Sequence, residues 1–278
     1  MSGTLFVVAT PIGNLADLST RAAEVLAQVD VIAAEDTRHT GRLLSHLMLR
    51  KPLFALHDHN ESEVATALLD RLDNGENVAL VSDAGTPLVS DPGYRLVDGA
   101  HHRGITVSPV PGPSAAVAAM SAAGLASDRF TFEGFLPHKA TARRQRLSDL
   151  ASETRTLVFF ESRHRIADSL KDMADAFGSE RRACIARELT KMHEQVVRLT
   201  LSELQQALAT GDIDERGEFV VVVDGAPDSA DSNVDSDRLL IALADRLPAK
   251  EAAKVAAEVT GERRNALYAR LLELTRKT

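Results

Sequence analysis

Three loops rich in glycine and proline carry the residues whose types and spacing suit a binding site. They are ATPIGNL (9–15), SDAGTPLVSDPG (82–93) and PVPGPSA (109–115), and each follows a short apolar run typical of a β-strand. Gly85 and Gly93 allow the main chain to turn sharply and to approach a ligand closely, while the prolines keep the loops rigid. Loops at the carboxyl ends of parallel strands meet in one crevice, so we expect a single pocket built mainly from backbone groups.

The chemistry of such a pocket indicates its ligand. Backbone N–H and C=O groups can bind the carboxylate, amine and ribose hydroxyls of a zwitterionic, partly apolar molecule, a description that S-adenosylmethionine fits. The sequence lacks the common nucleotide signatures, because no two of its 16 glycines are separated by a single residue and GxxxxGK[ST] does not occur. Each loop alone could be an ordinary tight turn, but three together favour the pocket.

A further strand end supplies candidates for acid–base chemistry. In AAEDTR (33–38), Asp36 could accept a proton from a weak nucleophile such as a hydroxyl, or it could pair with Arg38 or cap the following helix. His57 is the second candidate base. His57 and His59 also have the spacing of two metal ligands, but the sequence offers no third ligand at a suitable spacing, so we expect no metal.

The elements that position these residues are predicted from the periodicity of apolar residues. Strands that alternate with helices over residues 1–122 predict an α/β domain with a mostly parallel sheet, and residues 123–225 predict a second α/β domain. Residues 226–236 have the small, acidic composition of a solvated linker. Residues 237–278 predict three short helices, the last two with the length and turn of a helix-turn-helix.

Composition and charge limit the classes of function. The content of 44% hydrophobic and 26% charged residues is ordinary for a soluble globular protein. Because the sequence has no apolar run of membrane-spanning length and no signal-peptide pattern, we expect no membrane association and a cytoplasmic location. Cys184 is the single cysteine, which excludes an intrachain disulfide, and we expect it in the core. The net charge of −8 argues against a surface built for nonspecific nucleic-acid binding.

Local basic clusters could still contact RNA. The tail from residue 237 has nine Lys and Arg against six Asp and Glu, and KATARRQR (139–146) could form a flexible arm that reaches phosphates. The candidate RNA-binding residues are Lys139, Arg143, Arg144, Arg146, Arg263 and Arg264, joined by Arg187 and Lys191. A basic run of this kind is more often a solvated helix face. Phe132 and Phe135 could stack on a base, although core packing is the simpler interpretation.

Longer stretches of the sequence resemble a known family. ATPIGNL, EDTR and SDAGTP, together with PGPSA, FEGFLP and GEFVVVV, resemble the bacterial 16S ribosomal RNA 2'-O-ribose methyltransferases, a branch of the tetrapyrrole methylase superfamily. The resemblance covers nearly the whole chain, including the helical tail. It implies a class III S-adenosylmethionine-dependent methyltransferase with two α/β domains, a cofactor bound in the cleft between them, a homodimer and no metal. The implied methyl acceptor is a decoding-centre cytidine of 16S rRNA in the small ribosomal subunit.

The resemblance also implies which residues contact the cofactor. By matching motif these are Ile12, Thr86, Val89, Ser114, Ala115, Phe160, Leu189 and Glu218, and the loop analysis adds Asp83 and Gly85. Two alternatives remain open. One is a methylase of a small tetrapyrrole, which would need neither the Arg-rich segment nor the basic tail. The other is a noncatalytic helix-turn-helix regulator that senses a nucleotide.

Overall fold

The structure, a computed structural model, describes residues 2–57, 59–227 and 236–275 and forms two compact units, residues 1–225 and 226–278. The first unit holds two β-sheets of five strands each, and the second unit is helical. Among the described residues, no helix is both long enough and apolar enough to cross a membrane. The predicted α/β class with a C-terminal helical extension is confirmed.

The first sheet is parallel throughout, as the alternation of strands and helices predicts. Its strands are β1 (Thr4–Val8), β2 (Val31–Ala34), β3 (Leu53–Ala55), β4 (Val78–Val81) and β5 (Thr106–Val110), and its helices are α1 (Thr20–Gln28), α2 (Thr37–His46), α3 (Glu61–Asp73) and α4 (Tyr94–His102). The strand order is β3-β2-β4-β1-β5. Every residue of β2 and β4 is buried because helices cover both faces of the sheet.

The second sheet mixes parallel and antiparallel pairs. Its strands are β6 (Phe130–Phe135), β7 (Thr156–Ser162), β8 (Arg182–Arg187), β9 (Gln195–Thr200) and β10 (Glu218–Val223), in the order β6-β7-β10-β8-β9. Only β6 and β7 are parallel among these pairs. Helices α6 (Ala140–Asp149), α7 (Ile166–Phe177) and α8 (Leu201–Thr210) follow the strands. Cys184 lies in β8 and is fully buried, as expected.

The helix that joins the two sheets packs against the second sheet. All but the last residue of helix α5 (Ala115–Ala123) belong to the predicted first domain, residues 1–122, and the buried face of this helix packs against the second sheet. Ala116 and Ala119 lie in one apolar cluster with Val158 and Val222 of that sheet. The reason is physical: small side chains allow close approach, and the second sheet needs this helix to cover its other face. By packing, the second layer therefore begins near residue 115.

The second unit is a small bundle of three helices. They are α9 (Ser236–Ala244), α10 (Ala249–Thr260) and α11 (Arg264–Thr275), in agreement with the three predicted helices. Leu240, Ala252 and Leu267 are fully or almost fully buried at their common core. Gly261 ends α10 in the left-handed conformation, with a φ of 74°. Most of the predicted acidic linker, residues 228–235, lies outside the described residues.

Candidate active site

A cavity of about 470 Å³ lies where the three loops of the first sheet face the second sheet. The lining residues from the first sheet's side are Ile12, Glu35, Asp83, Ala84, Gly85, Thr86, Val89, Ser90, Asp91, Ser114 and Ala115. From the second sheet's side they are Phe135, Phe160, Glu161, Ser162, Ala186, Leu189, Lys191, Glu218, Phe219 and Val220. The structure thus brings together all ten residues predicted to contact the cofactor.

Hydrogen bonds tie the three loops into one rim. Thr10 and Gly85 exchange two backbone hydrogen bonds, with N···O distances of 2.9 and 3.0 Å. Gly85 has a φ of +84°, and a side chain there would place its Cβ 3.3 Å from the Cγ2 atom of Ile12. The hydroxyl of Thr86 donates to the carbonyl oxygen of Pro113 at 3.0 Å, which joins the second loop to the third. The rim is therefore a cross-linked backbone structure, as the glycines and prolines predict.

The two walls of the cavity touch each other at two glycines. A Cβ on Gly13 would lie 2.5 Å from the Cγ atom of Lys191 and 3.1 Å from the carbonyl oxygen of Leu189. A Cβ on Gly134 would lie 3.1 Å from the Oγ atom of Ser90. Both positions need glycine because the first loop and the second sheet approach within van der Waals distance of the opposite wall.

Backbone strain is concentrated in the loops that line the cavity. Leu88 and Ser90 have φ angles of 71° and 69°, and Glu188 and Thr190 on the opposite wall have φ angles of 49° and 65°. Left-handed backbone costs a non-glycine residue about 1–2 kcal/mol. Strain of this kind persists where the surroundings fix the conformation, and it is common in ligand-binding loops. The sequence gives no signal for it, since none of the four positions is a glycine or an asparagine.

Several charged side chains line the cavity, and most of its carboxylates are ion-paired or hydrogen-bonded. Glu161 is only 2% exposed, and it accepts a 2.6 Å hydrogen bond from Ser169 and pairs with Arg165 at 2.8 Å. Glu218 accepts a hydrogen bond from the Nζ atom of Lys191 at 2.8 Å. Burial lowers the pKa of Lys191, but its hydrogen bonds to Glu218 and Glu188 outweigh burial and leave that pKa raised. Lys191 therefore stays charged and neutralises one carboxylate of the cavity.

Asp91 lies in a different environment from the other carboxylates. Burial raises the pKa of Asp91 to about 6; a hydrogen bond with Ser82 opposes this rise, and the negative charges of Glu35 and Asp83 add to it. The Oδ1 atom of Asp83 is itself engaged, because it accepts a hydrogen bond from the backbone N–H of Asp36 at 3.0 Å. Asp91 is thus a half-buried carboxylate that holds its proton more tightly than an ordinary aspartate.

Comparisons with known proteins identify the family. The family model described as Tetrapyrrole (Corrin/Porphyrin) Methylases matches residues 4–205, and the one described as RsmI C-terminal HTH domain matches residues 230–275. Ribosomal RNA small subunit methyltransferase I of Xylella fastidiosa is 56% identical over 267 residues, which cover 96% of this chain and 98% of the relative. Its Pseudomonas aeruginosa counterpart is 54% identical over 275 residues and covers 98% of both chains. The chain belongs to this methyltransferase family.

A solved structure of another methyltransferase has the same fold. The uroporphyrin-III C-methyltransferase of Thermus thermophilus, in complex with S-adenosylhomocysteine, aligns with 80% of this chain and 97% of its own length. The TM-score is 0.55 and the sequence identity is 19%, so the likeness concerns the fold alone. Membership of a methyltransferase family makes the chain an enzyme and removes the alternative of a noncatalytic regulator.

The two predicted bases of this methyltransferase do not line the cavity. Asp36 caps α2: its Oδ1 atom accepts a hydrogen bond from the backbone N–H of Arg38 at 2.8 Å, and its Oδ2 atom pairs with the guanidinium at 2.7 Å. Hydrogen bonds from the side chain and backbone of Arg38 hold the pKa of Asp36 well below its usual range. The alternative interpretation of Asp36, a helix cap that also pairs with Arg38, is the one that the structure shows. His57 is exposed, with its ring 6.1 Å from that of His59.

The basic segment after β6 is a helix and not the flexible arm that was predicted. Arg143 is only 5% exposed, and its Nε atom donates to Asp172 at 2.7 Å, so the prediction that Arg143 binds RNA is wrong. Its guanidinium is needed inside the protein to neutralise a buried carboxylate. Arg144 bonds the other oxygen of Asp172 at 3.2 Å, and Arg146 pairs with Glu133 at 2.5 Å, but both arginines remain exposed, as does Lys139.

The other basic residues predicted to contact RNA also divide into buried and exposed side chains. Arg187 is buried and donates to the backbone carbonyl oxygens of Arg216 and His193 at 2.7 and 2.8 Å, so it has a structural role. Arg263, just before α11, and Arg264, its first residue, are both exposed. Within residues 2–57, 59–227 and 236–275, no three His, Cys, Asp or Glu side chains group as metal ligands would.

The two phenylalanines have different environments. Phe132 packs among apolar residues of the second sheet, with its ring 4.9 Å from that of Phe160. Phe135 is 55% exposed, lines the cavity and contacts Phe160 edge-on at 5.6 Å. The prediction of core packing is therefore confirmed for Phe132, while Phe135 offers an accessible aromatic face at the cavity.

The sequence analysis did not name Asp91 and Glu161 as cavity residues. Asp91 could have been found from its position in the second loop.

Proposed function

We propose that this methyltransferase transfers the methyl group of S-adenosylmethionine to the 2'-oxygen of a decoding-centre cytidine in 16S rRNA of the small ribosomal subunit. The observation that carries the proposal is that ten predicted cofactor residues line one cavity in a chain more than half identical to proteins named ribosomal RNA small subunit methyltransferase I. These names favour RNA over a small tetrapyrrole as the acceptor. The choice of the cytidine 2'-oxygen rests on the resemblance of the motifs.

The residues of the cavity fit this cofactor. Ile12, Val89 and Leu189 supply apolar surface for the adenosine and the methionine chain. Ser114 is the N-cap of α5, yet its side chain makes no capping hydrogen bond, so its hydroxyl remains available to a ligand. Ala115, which also lines the cavity, begins α5, where N–H groups carry partial positive charge and favour a carboxylate or a hydroxyl oxygen.

The protein's contribution to the reaction is position and environment. When bound, S-adenosylmethionine supplies a methyl group on a positively charged sulfur, which is already a strong electrophile. The backbone bridge between Thr10 and Gly85 and the bond from Thr86 to Pro113 hold the rim rigid, so that the acceptor oxygen can be aligned with the methyl carbon. The apolar walls reduce the access of water to the reacting atoms.

RNA contact would come from exposed basic residues in both units. Lys139, Arg144 and Arg146 lie at or beside α6, and Arg263 and Arg264 lie at the start of α11. Arg144 and Arg146 are ion-paired, whereas Arg263 and Arg264 form no ion pair with any other described residue, which makes these two the stronger candidates. The homodimer and the cytoplasmic location expected from the sequence belong to the same proposal.

The test maps ribose methylation on the natural substrate. Small ribosomal subunits from a strain that lacks this protein are incubated with the purified protein and S-adenosylmethionine, and 2'-O-methyl groups in 16S rRNA are located by alkaline-resistance mapping. We expect one new 2'-O-methylcytidine in the decoding centre. The Arg263→Glu/Arg264→Glu variant should methylate weakly with unchanged cofactor affinity, while the control Arg246→Glu should behave as the wild type. A methyl group on a base, or none on rRNA, would overturn the proposal.

A further inference from the structure

The second loop contains a cavity carboxylate with no cationic partner. Of the carboxylates that line the cavity, Glu161 pairs with Arg165, Glu218 pairs with Lys191, and Asp83 accepts a backbone hydrogen bond. Glu35 accepts a long hydrogen bond from the backbone N–H of Asp83, with an N···O distance of 3.4 Å. Asp91 is not ion-paired to any residue in the described part of the chain. Because neither a cation nor a backbone N–H group of the described residues stabilises its charge, Asp91 is the best proton acceptor of this set.

The chain around Asp91 is held in place from both sides. Before Asp91, the backbone of Leu88 and Ser90 is in the left-handed region, which costs free energy. After it, the buried Glu61 accepts hydrogen bonds at its Oε1 atom from the backbone N–H groups of Gly93 at 3.1 Å and Arg95 at 2.8 Å. Glu61 thereby caps α4, whose own N-cap residue is a glycine. The position of Asp91 is therefore fixed before any ligand binds.

We propose that Asp91 is the catalytic base that accepts the proton of the acceptor hydroxyl during methyl transfer. This inference rests on the proposed function, because it requires a hydroxyl nucleophile. The bond from the ribose oxygen to the methyl carbon forms as the carbon–sulfur bond breaks and leaves its electron pair on sulfur. The hydroxyl proton passes to a carboxylate oxygen of Asp91, which later releases it to solvent, so that atoms and charge balance.

The surroundings of Asp91 suit this role. Glu35, just after β2, and Asp83, from its own loop, bring negative charge close to Asp91, while the nearby Ser82 hydroxyl favours its charged form. Across the cavity lie Glu161, Lys191 and Glu218, with Lys191 bound to Glu218. A base with a pKa of about 6 is ionised at neutral pH, yet accepts a proton more readily than an ordinary aspartate.

The kinetic test compares Asp91→Asn, Asp91→Glu and the exposed control Asp128→Asn. Single-turnover methylation of small ribosomal subunits is measured from pH 5 to 8.5, and S-adenosylmethionine affinity is measured by calorimetry. We expect the wild-type rate to rise with pH through about 6. Asp91→Asn should lose about 10²–10⁴-fold in rate and this pH dependence, with cofactor affinity unchanged. Asp91→Glu should keep part of the rate, and Asp128→Asn should match the wild type.

A second readout does not depend on activity. The folded-state pKa of Asp91 is raised above the unfolded value of about 3.9. Proton binding to Asp91 therefore stabilises the folded state. This stabilisation is fully present below about pH 4 and is lost as the pH rises through about 6. Asp91→Asn should therefore melt at a higher temperature than the wild type at pH 8, and the difference should close toward pH 4. A melting difference independent of pH would contradict the assigned environment.

The outcomes separate this inference from the proposed function. If the wild type makes 2'-O-methylcytidine and Asp91→Asn does so at the wild-type rate and pH profile, Asp91 is not the base and the proposed function stands. If the wild type places its methyl group elsewhere, the proposed function fails whatever the variant does. Loss of cofactor affinity in Asp91→Asn equal to the loss of rate would also overturn the role as a base.

Discussion

At the scale of single residues, the cavity depends on backbone positions where a side chain would not fit. Gly85 combines a φ of +84° with close approach to Ile12 and a paired backbone bridge to Thr10. Thr86 adds a side-chain bond to the third loop. These residues bind little by their own side chains; instead they hold N–H and C=O groups in a fixed array around the ligand.

A matched pair of glycine substitutions separates this role from backbone strain. Gly85→Ala and Gly104→Ala both place a side chain in the left-handed region, with φ angles of 84° and 66°, but only Gly85 has a neighbour within 4 Å. Each should lower the free energy of unfolding by about 1–2 kcal/mol. Only Gly85→Ala should also weaken S-adenosylmethionine binding, by about tenfold or more in calorimetry. Equal cofactor affinity in the two variants would show that Gly85 serves the turn alone.

The sequence predicted cavity residues well where local chemistry decides their position. Gly85 and Ser114 lie at strand ends whose glycines and prolines mark the loops, and parallel strands bring such ends together. For Asp36 the alternative role given by the sequence, pairing with Arg38 and capping of the next helix, is the one observed, whereas Arg143 was misjudged because its role depends on a distant neighbour. Asp36 meets Arg38 in its own cap, and Arg143 meets Asp172 from another helix. Burial and pairing of charges are properties of the three-dimensional structure that spacing does not reveal.

At the scale of elements, strong strands and helices were predictable and short or edge elements were not. Strand β4 and residues 219–223 of β10 are uninterrupted apolar runs, the pattern that indicates a buried strand. Strand β3 has three residues, and β9 is an edge strand with mixed exposure, so neither has a clear pattern. Helix α5 consists mostly of alanine and has no strongly polar face, so its sequence does not say which sheet it covers. Only the packing against the second sheet decides that.

The prediction at this scale concerns the stability of the contact between helices α6 and α7. Arg143 of α6 and Asp172 of α7 form a buried pair, with both side chains 6% exposed. Removing the carboxylate leaves a buried guanidinium unpaired, so Asp172→Ala should lower the free energy of unfolding by about 3–5 kcal/mol. The exposed Asp168 lies 4.0 Å from the same arginine, and Asp168→Ala should cost about 0–1 kcal/mol. Urea unfolding of both variants tests this, and similar losses would contradict the structural role of the pair.

At the scale of the whole molecule, the two units have different proposed roles, cofactor binding for the first and RNA contact for the second. The first unit contains the cavity and all residues proposed to bind the cofactor. The second unit is a three-helix bundle matched by a C-terminal HTH domain model, in a tail where basic residues outnumber acidic ones. Because the chain as a whole carries a charge of −8, RNA attraction would be confined to such local surfaces. Their electrostatic contribution should weaken with added salt.

The most direct test of the central claim is a crystal structure of the full chain grown with S-adenosylmethionine. We expect the ligand in the cavity between the second loop and the second sheet, with its polar groups bound by the backbone near Gly85 and by Ser114, and with Leu189 and Phe160 along its apolar surface. Density for the ligand at any other place in the molecule would contradict the account.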